Sequence, residues 1–231
     1  MTQLLISVTN VHEASISLAH GADIIDLKEP SVGALGALPI ETVIEVVKFV
    51  DGVKPVSATV GDLVIETNAQ IQVLTDRVLA LVEANVDYIK IGFFGAKDYQ
   101  PCLLALNNLI KMCLPKSVKL IAVLFAECAY SAHLIKEIQA AGFVGLMIDT
   151  AQKNGKIYSN YQSDKVTKSF AKQARALHLS FGLAGSLNIS SIENAKVFEP
   201  DYLGFRGGVC DENIRHAKLN LHKIREIRRL L

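Results

Sequence analysis

The sequence predicts an α/β protein, a single (β/α)8 TIM barrel over residues 1–231. Short β-branched apolar runs alternate with longer segments of helical periodicity, and each type occurs eight times. Strands that alternate with helices pair in parallel, because each crossover between them needs about a dozen residues. Eight such units in 231 residues favour a closed barrel over an open doubly wound sheet, which usually has fewer strands.

The eight predicted strands cover residues 3–8, 23–28, 55–60, 87–92, 118–125, 144–149, 179–184 and 201–206. The eight predicted helices lie near residues 11–20, 40–50, 70–85, 98–113, 131–141, 163–177, 188–197 and 215–230. Asn10 suits the N-cap of the first helix, and Glu13 stands where a capping box has its acidic residue. Gly21 follows that helix and predicts a left-handed ending.

The composition excludes several classes of function. Lys and Arg number 24 against 23 Asp and Glu, so the net charge of +1 offers no basic surface for nucleic acid or an anionic membrane. No apolar stretch reaches the roughly 18–20 residues of a membrane helix, and residues 1–10 lack the features of a signal peptide. The four cysteines are not spaced for a zinc site. We therefore expect a cytoplasmic protein with no metal, no cofactor, and no nucleic-acid or membrane partner.

Four charged residues interrupt strands that should be apolar if they are buried in a parallel barrel. Side chains alternate along a strand, so Asp26 and Lys28 share the face of the second strand that points into the barrel. Lys90 and Asp149 point inward by the same argument, toward the carboxyl ends of strands where barrel enzymes carry their active sites. Internal ion pairs, such as Asp26–Lys28 and Asp149–Lys90, are the structural alternative, although burying them is costly.

Two interior lysines indicate a specific chemistry. Burial and a second nearby cation lower the pKa of a lysine, whose neutral amine can then attack a carbonyl and form a Schiff base. A carboxylate, Asp26 or Asp149, can move the protons that this step requires. The residues alone leave open which of Lys28 and Lys90 is the nucleophile.

Two glycine clusters follow the seventh and eighth predicted strands. They are Gly185-Ser186 and Gly207-Gly208, and Arg206 precedes the second. Loops at these positions are the usual phosphate site of such barrels, because glycine lets backbone N–H groups approach an anion and a helix N-terminus follows. Arg206 would add a bidentate contact. Tight turns that need glycine for steric reasons are the alternative.

Four more polar residues lie near the ends of predicted strands. Lys153, in the loop after the sixth strand, either binds a second phosphate at the barrel mouth or is a solvated loop residue. Glu127 and His133 follow the fifth strand and are weaker candidates for the mouth. Lys119 opens the fifth strand, at the wrong end for chemistry, so we expect a structural role.

These motifs, taken in order, resemble the (5-formylfuran-3-yl)methyl phosphate synthase family. The matching segments run over essentially the whole chain and are specific as a set: DIIDLKEP at 23–30, GALGA at 33–37, VSATVGD at 56–62, YIKIG at 88–92, DTA at 149–151 with Lys153 and GK at 155–156, AGSL at 184–187 and GFRGG at 204–208.

The resemblance implies a lyase of methanofuran-type one-carbon cofactor biosynthesis. Such enzymes join two glyceraldehyde 3-phosphate molecules, with loss of one phosphate and water, into a phosphorylated furan aldehyde. By the family pattern, Lys28 forms the Schiff base and Lys90 accepts the proton, while Asp26, Asp149 and Lys153 lie around the substrate. The implied partner is a small phosphorylated molecule, and association into a homo-oligomer stays open.

Two other functions remain open on the residues alone. Another class I aldolase or isomerase acting on a small sugar phosphate would need the same lysine and phosphate loops, and only its product would differ. A non-catalytic sugar-phosphate sensor would bind phosphate but gain nothing from two interior lysines. Borohydride reduction with substrate present separates an enzyme, which is trapped covalently, from a sensor.

Overall fold

A computed structural model of the protein describes residues 2–96 and 98–231. Eight parallel strands each pair with the next, and pairing of the first with the eighth closes a barrel, which confirms the predicted fold. The strands are β1 (Gln3–Val8), β2 (Ile24–Leu27), β3 (Val56–Thr59), β4 (Tyr88–Phe93), β5 (Lys119–Phe125), β6 (Gly145–Asp149), β7 (Ser180–Leu183) and β8 (Tyr202–Phe205). Each lies within one residue of its predicted bounds at both ends.

Helices connect successive strands and cover the outside of the barrel. They are α1 (Val11–Ala19), α2 (Ile40–Val50), α3 (Asn68–Glu83), α4 (Gln100–Met112), α5 (Leu134–Ala140), α6 (Asp164–Ala176), α7 (Ile192–Lys196) and α8 (Leu221–Leu230). No helix in the described part of the chain is long and apolar enough to cross a membrane.

The start of α1 confirms one half of the predicted capping box. The Asn10 side chain accepts a hydrogen bond from the Glu13 backbone N–H at 3.0 Å, as predicted. The Glu13 carboxylate, however, accepts from the backbone N–H of Thr9 at 2.8 Å, because it also pairs with Arg206 from β8. Gly21 has a φ of +97°, which confirms the left-handed ending.

Side chains that point into the barrel lie in layers, each supplied by four alternate strands. The strand register, combined with the tilt that a closed barrel requires, gives three layers from the even-numbered strands. From the amino-terminal end upward, the lower layer is Ile24, Tyr88, Gly145 and Tyr202, the middle layer is Asp26, Lys90, Met147 and Gly204, and the upper layer is Lys28, Gly92, Asp149 and Arg206. The charged side chains thus occupy the middle and upper layers.

The loop between β2 and α2 fills part of the barrel mouth. Ala34 and Leu35 are buried in one apolar cluster with Phe125, against which Phe94 packs. Asp62 holds the loop, because its carboxylate accepts hydrogen bonds from the backbone N–H groups of Ala34 and Leu35 at 2.7 and 2.6 Å. The rest of the mouth, toward β6, β7, β8 and β1, stays open.

Two predicted helices begin later than expected. The seventh becomes α-helical only at Ile192, after a 3₁₀ turn over Ile189–Ser191. The eighth begins at Leu221 rather than near residue 215, because the Asn220 side chain caps it there. Residues before Asn220 instead form two 3₁₀ turns and a bridge between Cys210 and Leu219. This irregular segment follows the barrel mouth.

Candidate active site

A cavity of about 460 Å³ opens at the carboxyl ends of the strands. Every site residue predicted from the sequence lines it: Asp26, Lys28, Lys90, Asp149, Lys153, Gly185, Ser186, Arg206, Gly207 and Gly208. The barrel therefore brings together residues that are separated by up to 182 positions in the chain.

Asp26 and Lys90 form a fully buried ion pair in the middle layer. The Lys90 amine lies 2.6 Å from the Asp26 carboxylate, which also accepts hydrogen bonds from the Ser57 hydroxyl at 2.6 Å and the Ser7 hydroxyl at 2.7 Å. Burial would raise the pKa of Asp26, but the charges of Lys90 and Lys28 outweigh it and hold that pKa below its usual value. Burial also lowers the pKa of Lys90, against the opposing charge of Asp26. This pair is an ionised carboxylate beside an amine that gives up its proton more readily than usual.

Asp149 lies between two lysines in the upper layer. Its carboxylate is 2.6 Å from the Lys153 amine and 3.7 Å from the Lys28 amine. Burial would raise the pKa of Asp149, and the charges of Lys153 and Lys28 hold it well below its usual range instead. Burial lowers the pKa of Lys153 to about 8, despite Asp149. Lys153 is therefore an inner residue of the cavity rather than a solvated loop lysine.

The pairing within layers differs from the ion pairs considered from the sequence. Asp26 pairs with Lys90 and Asp149 with Lys28, whereas the sequence suggested Asp26–Lys28 and Asp149–Lys90. Residues two apart on one strand lie in successive layers, whereas residues of one layer meet, either on neighbouring even strands (Asp26 and Lys90) or across the barrel (Lys28 and Asp149). The barrel tilt, which sets the layers, is not visible in the spacing of residues along the chain.

Lys28 is the amine least committed to protein partners. The amines of Lys90 and Lys153 donate hydrogen bonds to Asp26 and Asp149, whereas that of Lys28 forms none within residues 2–96 and 98–231. Lys28 is nevertheless buried, with 8% of its side chain exposed, and it faces the cavity. This is the position of an amine that can reach a carbonyl group bound in the cavity.

The glycine loops present backbone N–H groups to the cavity. Among the described residues, no acceptor is within hydrogen-bond reach of the N–H groups of Gly185, Ser186, Gly207 and Gly208. Unpaired N–H groups at a buried site favour an anionic ligand that accepts from them. Glycine is also required sterically, because a Cβ on Gly208 would lie 2.1 Å from the Leu187 carbonyl oxygen. The helix α7 has only five residues, so its dipole adds little to this site.

Arg206 is held by protein partners at the edge of the cavity. Its guanidinium pairs in bidentate fashion with the Glu13 carboxylate and donates to the backbone carbonyls of Ser7 and Arg215. It lines the cavity, but most of its hydrogen-bonding capacity joins β1, α1 and the loop after β8. The bidentate contact predicted for phosphate is thus made to Glu13.

The sequence analysis missed two basic residues of the cavity, Arg215 and His216. Arg215 donates to the carbonyl of Gly33, and burial lowers its pKa. Five cationic side chains (Lys28, Lys90, Lys153, Arg206 and Arg215) now face two carboxylates in the cavity wall. Glu13 compensates Arg206, and the remaining excess of positive charge suits a phosphorylated ligand. The sequence analysis placed Arg215 and His216 in the eighth predicted helix, and no sequence motif marked them as site residues.

The weaker candidates lie outside the cavity. The Glu127 carboxylate accepts hydrogen bonds from the backbone N–H groups of Ala151 and Gln152 at 3.0 and 2.9 Å, so it holds the loop after β6. His133 is exposed at the start of α5. Lys119 lies over the Tyr88 ring at the amino-terminal face, consistent with a structural role. No group of three His, Cys, Asp or Glu residues that could hold a metal occurs in the part of the chain that the structure describes.

The architecture is shared with solved structures of low sequence identity. Phosphoribosyl anthranilate isomerase from Thermus thermophilus superposes with a TM-score of 0.66 at 13% identity, covering 99% of this chain and 98% of that one. A 3-hexulose-6-phosphate synthase from Salmonella typhimurium superposes with a TM-score of 0.62 at 17% identity, covering 100% and 98%. Identities at this level establish the fold alone.

Sequence comparison is more specific. The (5-formylfuran-3-yl)methyl phosphate synthase of Methanocaldococcus jannaschii is 30% identical over 98% of both chains, and that of Methanosarcina mazei is 32% identical over 90% of both. A Methylorubrum extorquens protein, provisionally given the same name, is 38% identical over 94% of this chain and 86% of its own. The model of the family described as 4-HFC-P synthase matches residues 4–228. The chain with this lysine-rich cavity therefore belongs to the 4-HFC-P synthase family.

Proposed function

We propose that the protein is a (5-formylfuran-3-yl)methyl phosphate synthase that condenses two glyceraldehyde 3-phosphate molecules, a lyase reaction that releases phosphate and water. The observation that carries the proposal is the buried cluster of Lys28, Lys90, Asp26, Asp149 and Lys153 at the carboxyl end of a closed barrel, in a chain of this family. A sensor would have no use for three buried lysines, because each costs desolvation free energy.

Lys28 is the proposed nucleophile. Its amine, free of hydrogen bonds to the described residues, attacks the carbonyl carbon of the first triose phosphate and forms an iminium with loss of water. Asp149, 3.7 Å away and ionised, stabilises the positive iminium, and the Lys153 ammonium beside it can give the departing hydroxyl its proton. Because the charge of Lys153 lowers the pKa of Asp149, the Asp149 carboxylate stays ionised while the charge on the substrate changes.

Lys90 is the proposed base. Burial makes its amine easier to deprotonate, and the neutral form can remove a proton from the carbon next to the iminium. The electron pair left behind forms an enamine, which expels the phosphate from the next carbon and leaves a conjugated iminium. The terminal carbon of that iminium bonds to the second carbon of the other triose phosphate, which reacts as its enediol. Asp26 then stabilises the Lys90 ammonium at 2.6 Å. The hydroxyl oxygen on the second carbon of the first triose closes the ring on the other aldehyde, two waters leave to form the furan, and hydrolysis of the iminium releases Lys28 and the formyl group.

Two phosphorylated substrates require two anion sites. The unpaired N–H groups of the glycine loops form the first site, with Arg206 holding the loop after β8 against β1. Lys153 and Arg215, from the loops after β6 and β8, form the second. We assign the retained phosphate to the backbone cradle and the departing one to these two cationic side chains, whose charge stabilises the phosphate anion as it leaves.

Incubation with glyceraldehyde 3-phosphate alone, followed by mass spectrometry, tests the proposal. Wild-type protein should form a phosphorylated furan aldehyde and inorganic phosphate. Lys28→Arg keeps the positive charge but cannot form a Schiff base, so it should form neither, as should Lys28→Ala. Conversion of substrate into a different sugar phosphate would instead establish an aldolase or isomerase. Product formation by Lys28→Arg would exclude Lys28 as the nucleophile.

A further inference from the structure

A second, smaller cavity lies beneath Lys90, on the amino-terminal side of the barrel. It has a volume of about 80 Å³ and is lined by the lower layer together with the start of several strands. Lys90 and Leu5 line both this cavity and the large one above it. Lys90 and Leu5 therefore separate the substrate cavity from the lower cavity.

The walls of the lower cavity are unusually polar for a barrel interior. The residues with hydroxyl groups are Ser57, Tyr88, Ser180 and Tyr202. At the rim, Gln3 and Asp201 are exposed, so the cavity reaches the amino-terminal surface of the barrel. The volume suffices for at least two waters, at about 30 Å³ of liquid volume each.

The Tyr202 hydroxyl needs a partner in this cavity. Among residues 2–96 and 98–231, it is the one side-chain polar atom that is completely buried and has no hydrogen bond. The nearby Ser180 hydroxyl donates instead to the Val144 carbonyl. Burial raises the pKa of Tyr202, so the phenol keeps its proton and is a donor as well as an acceptor. Buried polar groups without protein partners are typically satisfied by ordered water.

The position of Tyr202 leaves little freedom to turn away from the cavity. Its ring lies against Gly182, where a Cβ would be 2.1 Å from the nearest ring atom. The ring is thus packed into the space that the absent side chain provides, and Tyr202 forms part of the cavity wall. A phenylalanine at position 202 would make the same ring contacts, so the packing does not account for the hydroxyl group.

We propose that the lower cavity holds ordered water, positioned by the Tyr202 hydroxyl, through which Lys90 exchanges its proton with solvent at the amino-terminal face. This inference rests on the proposed function in one respect, namely that Lys90 takes a proton from substrate carbon. The resulting ammonium passes that proton along the cavity waters to an acceptor in solvent, past Gln3 and Asp201. The neutral amine is regenerated while substrates block the upper mouth.

Tyr202→Phe is the test variant, because it removes only the unpaired hydroxyl and keeps the ring contacts with Gly182. Tyr158→Phe is a matched control, since Tyr158 is buried against Phe198 outside the barrel. High-resolution crystal structures of the wild type and Tyr202→Phe should show water bonded to the phenol in the first and that water lost in the second. A dry cavity in the wild type would overturn the proposal.

Solvent exchange provides the second readout. With triose phosphate in deuterated water, the wild type and Tyr158→Phe should introduce deuterium at the carbon next to the carbonyl. Tyr202→Phe should do so about tenfold more slowly, less than the loss of roughly a hundredfold or more when a positioned acid or base is removed. An unchanged exchange rate in Tyr202→Phe would overturn the relay even if water is present, because a purely structural hydroxyl would not affect this rate.

The two proposals fail separately. Exchange without furan aldehyde in the wild type would refute the synthase reaction and leave the relay supported. Furan formation with a dry lower cavity would refute the relay and leave the synthase supported. No exchange in the wild type would refute the role of Lys90 as a base and the relay with it.

Discussion

Lys90→Met removes the amine that neutralises Asp26 and keeps most of the side-chain volume. Asp26 has no exposed surface, and its carboxylate would retain only the hydroxyls of Ser7 and Ser57 as hydrogen-bond donors. Leaving a buried charge without its partner costs about 3–5 kcal/mol of folding free energy. At about 2–4 °C per kcal/mol for a domain of this size, we expect Lys90→Met to melt roughly 6–20 °C below the wild type near neutral pH.

The deficit should depend on pH in a definite direction. In the wild type the pKa of Asp26 is lowered, so its contribution to stability is present above the unfolded pKa and is lost as the pH falls through the folded one. Without Lys90, burial dominates and raises the folded pKa above the unfolded value of about 3.9. Asp26 in this variant therefore contributes to folding stability at low pH, and that contribution is lost as the pH rises. Lys90→Met should therefore approach the wild type in Tm as the pH falls from about 8 to about 5.

Thermal melts followed by circular dichroism at both pH values measure this effect. The Asp26→Leu/Lys90→Met double variant is the matched control, because it replaces both charges with apolar groups and should melt above the single variant. The reasoning is refuted if Lys90→Met melts with the wild type near pH 8, or if its deficit is the same at both pH values.

Three further predictions concern the phosphate sites and the rim of the cavity. A Cβ on Gly185 would lie 2.8 Å from the Thr150 methyl carbon, whereas one on Gly155, which also has a positive φ, would meet nothing within 4 Å. Gly185→Ala should therefore raise the KM for triose phosphate more than Gly155→Ala does. Equal KM values for the two variants in steady-state kinetics would contradict the backbone cradle. Burial lowers the pKa of Lys153 to about 8, so kcat/KM should fall as the pH rises through about 8, and Lys153→Arg should flatten that profile; an unchanged profile would exclude Lys153 as the titrating group. Glu13→Gln leaves Arg206 without its carboxylate partner, so the Tm should fall by about 6–20 °C. Borohydride should still trap substrate on this variant. Loss of trapping would show that Arg206 acts on the Schiff base itself.

The strands and the inward-facing charges could be predicted because both depend on local pattern. Asp26, Lys28, Lys90 and Asp149 interrupt apolar runs, and the alternation of side chains along a strand assigns each to the barrel interior. The glycine loops could be predicted for the same reason, since their position after the last two strands is readable from the order of elements. The roles of Lys28 and Lys90 came from family resemblance rather than from spacing.

The missed features depend on contacts between distant parts of the chain. The partner of each lysine follows from the tilt of the barrel, which puts Lys90 level with Asp26. Arg215 reaches the cavity because the residues before Asn220 are not helical, although the sequence predicts a helix from about residue 215. Arg206 is neutralised by Glu13, 193 residues away, and no local pattern links the two. Tyr202 could be read only as an apolar residue of a strand until its unpaired hydroxyl was located.

The most direct test of the account is the identity of the residue that becomes covalently attached to substrate. The wild type is treated with sodium borohydride in the presence of glyceraldehyde 3-phosphate, digested, and mapped by tandem mass spectrometry. The account predicts a reduced triose adduct on the peptide that contains Lys28, absent in Lys28→Arg and absent without substrate. An adduct on Lys90 or Lys153, or furan formation with no trapped adduct, would contradict it.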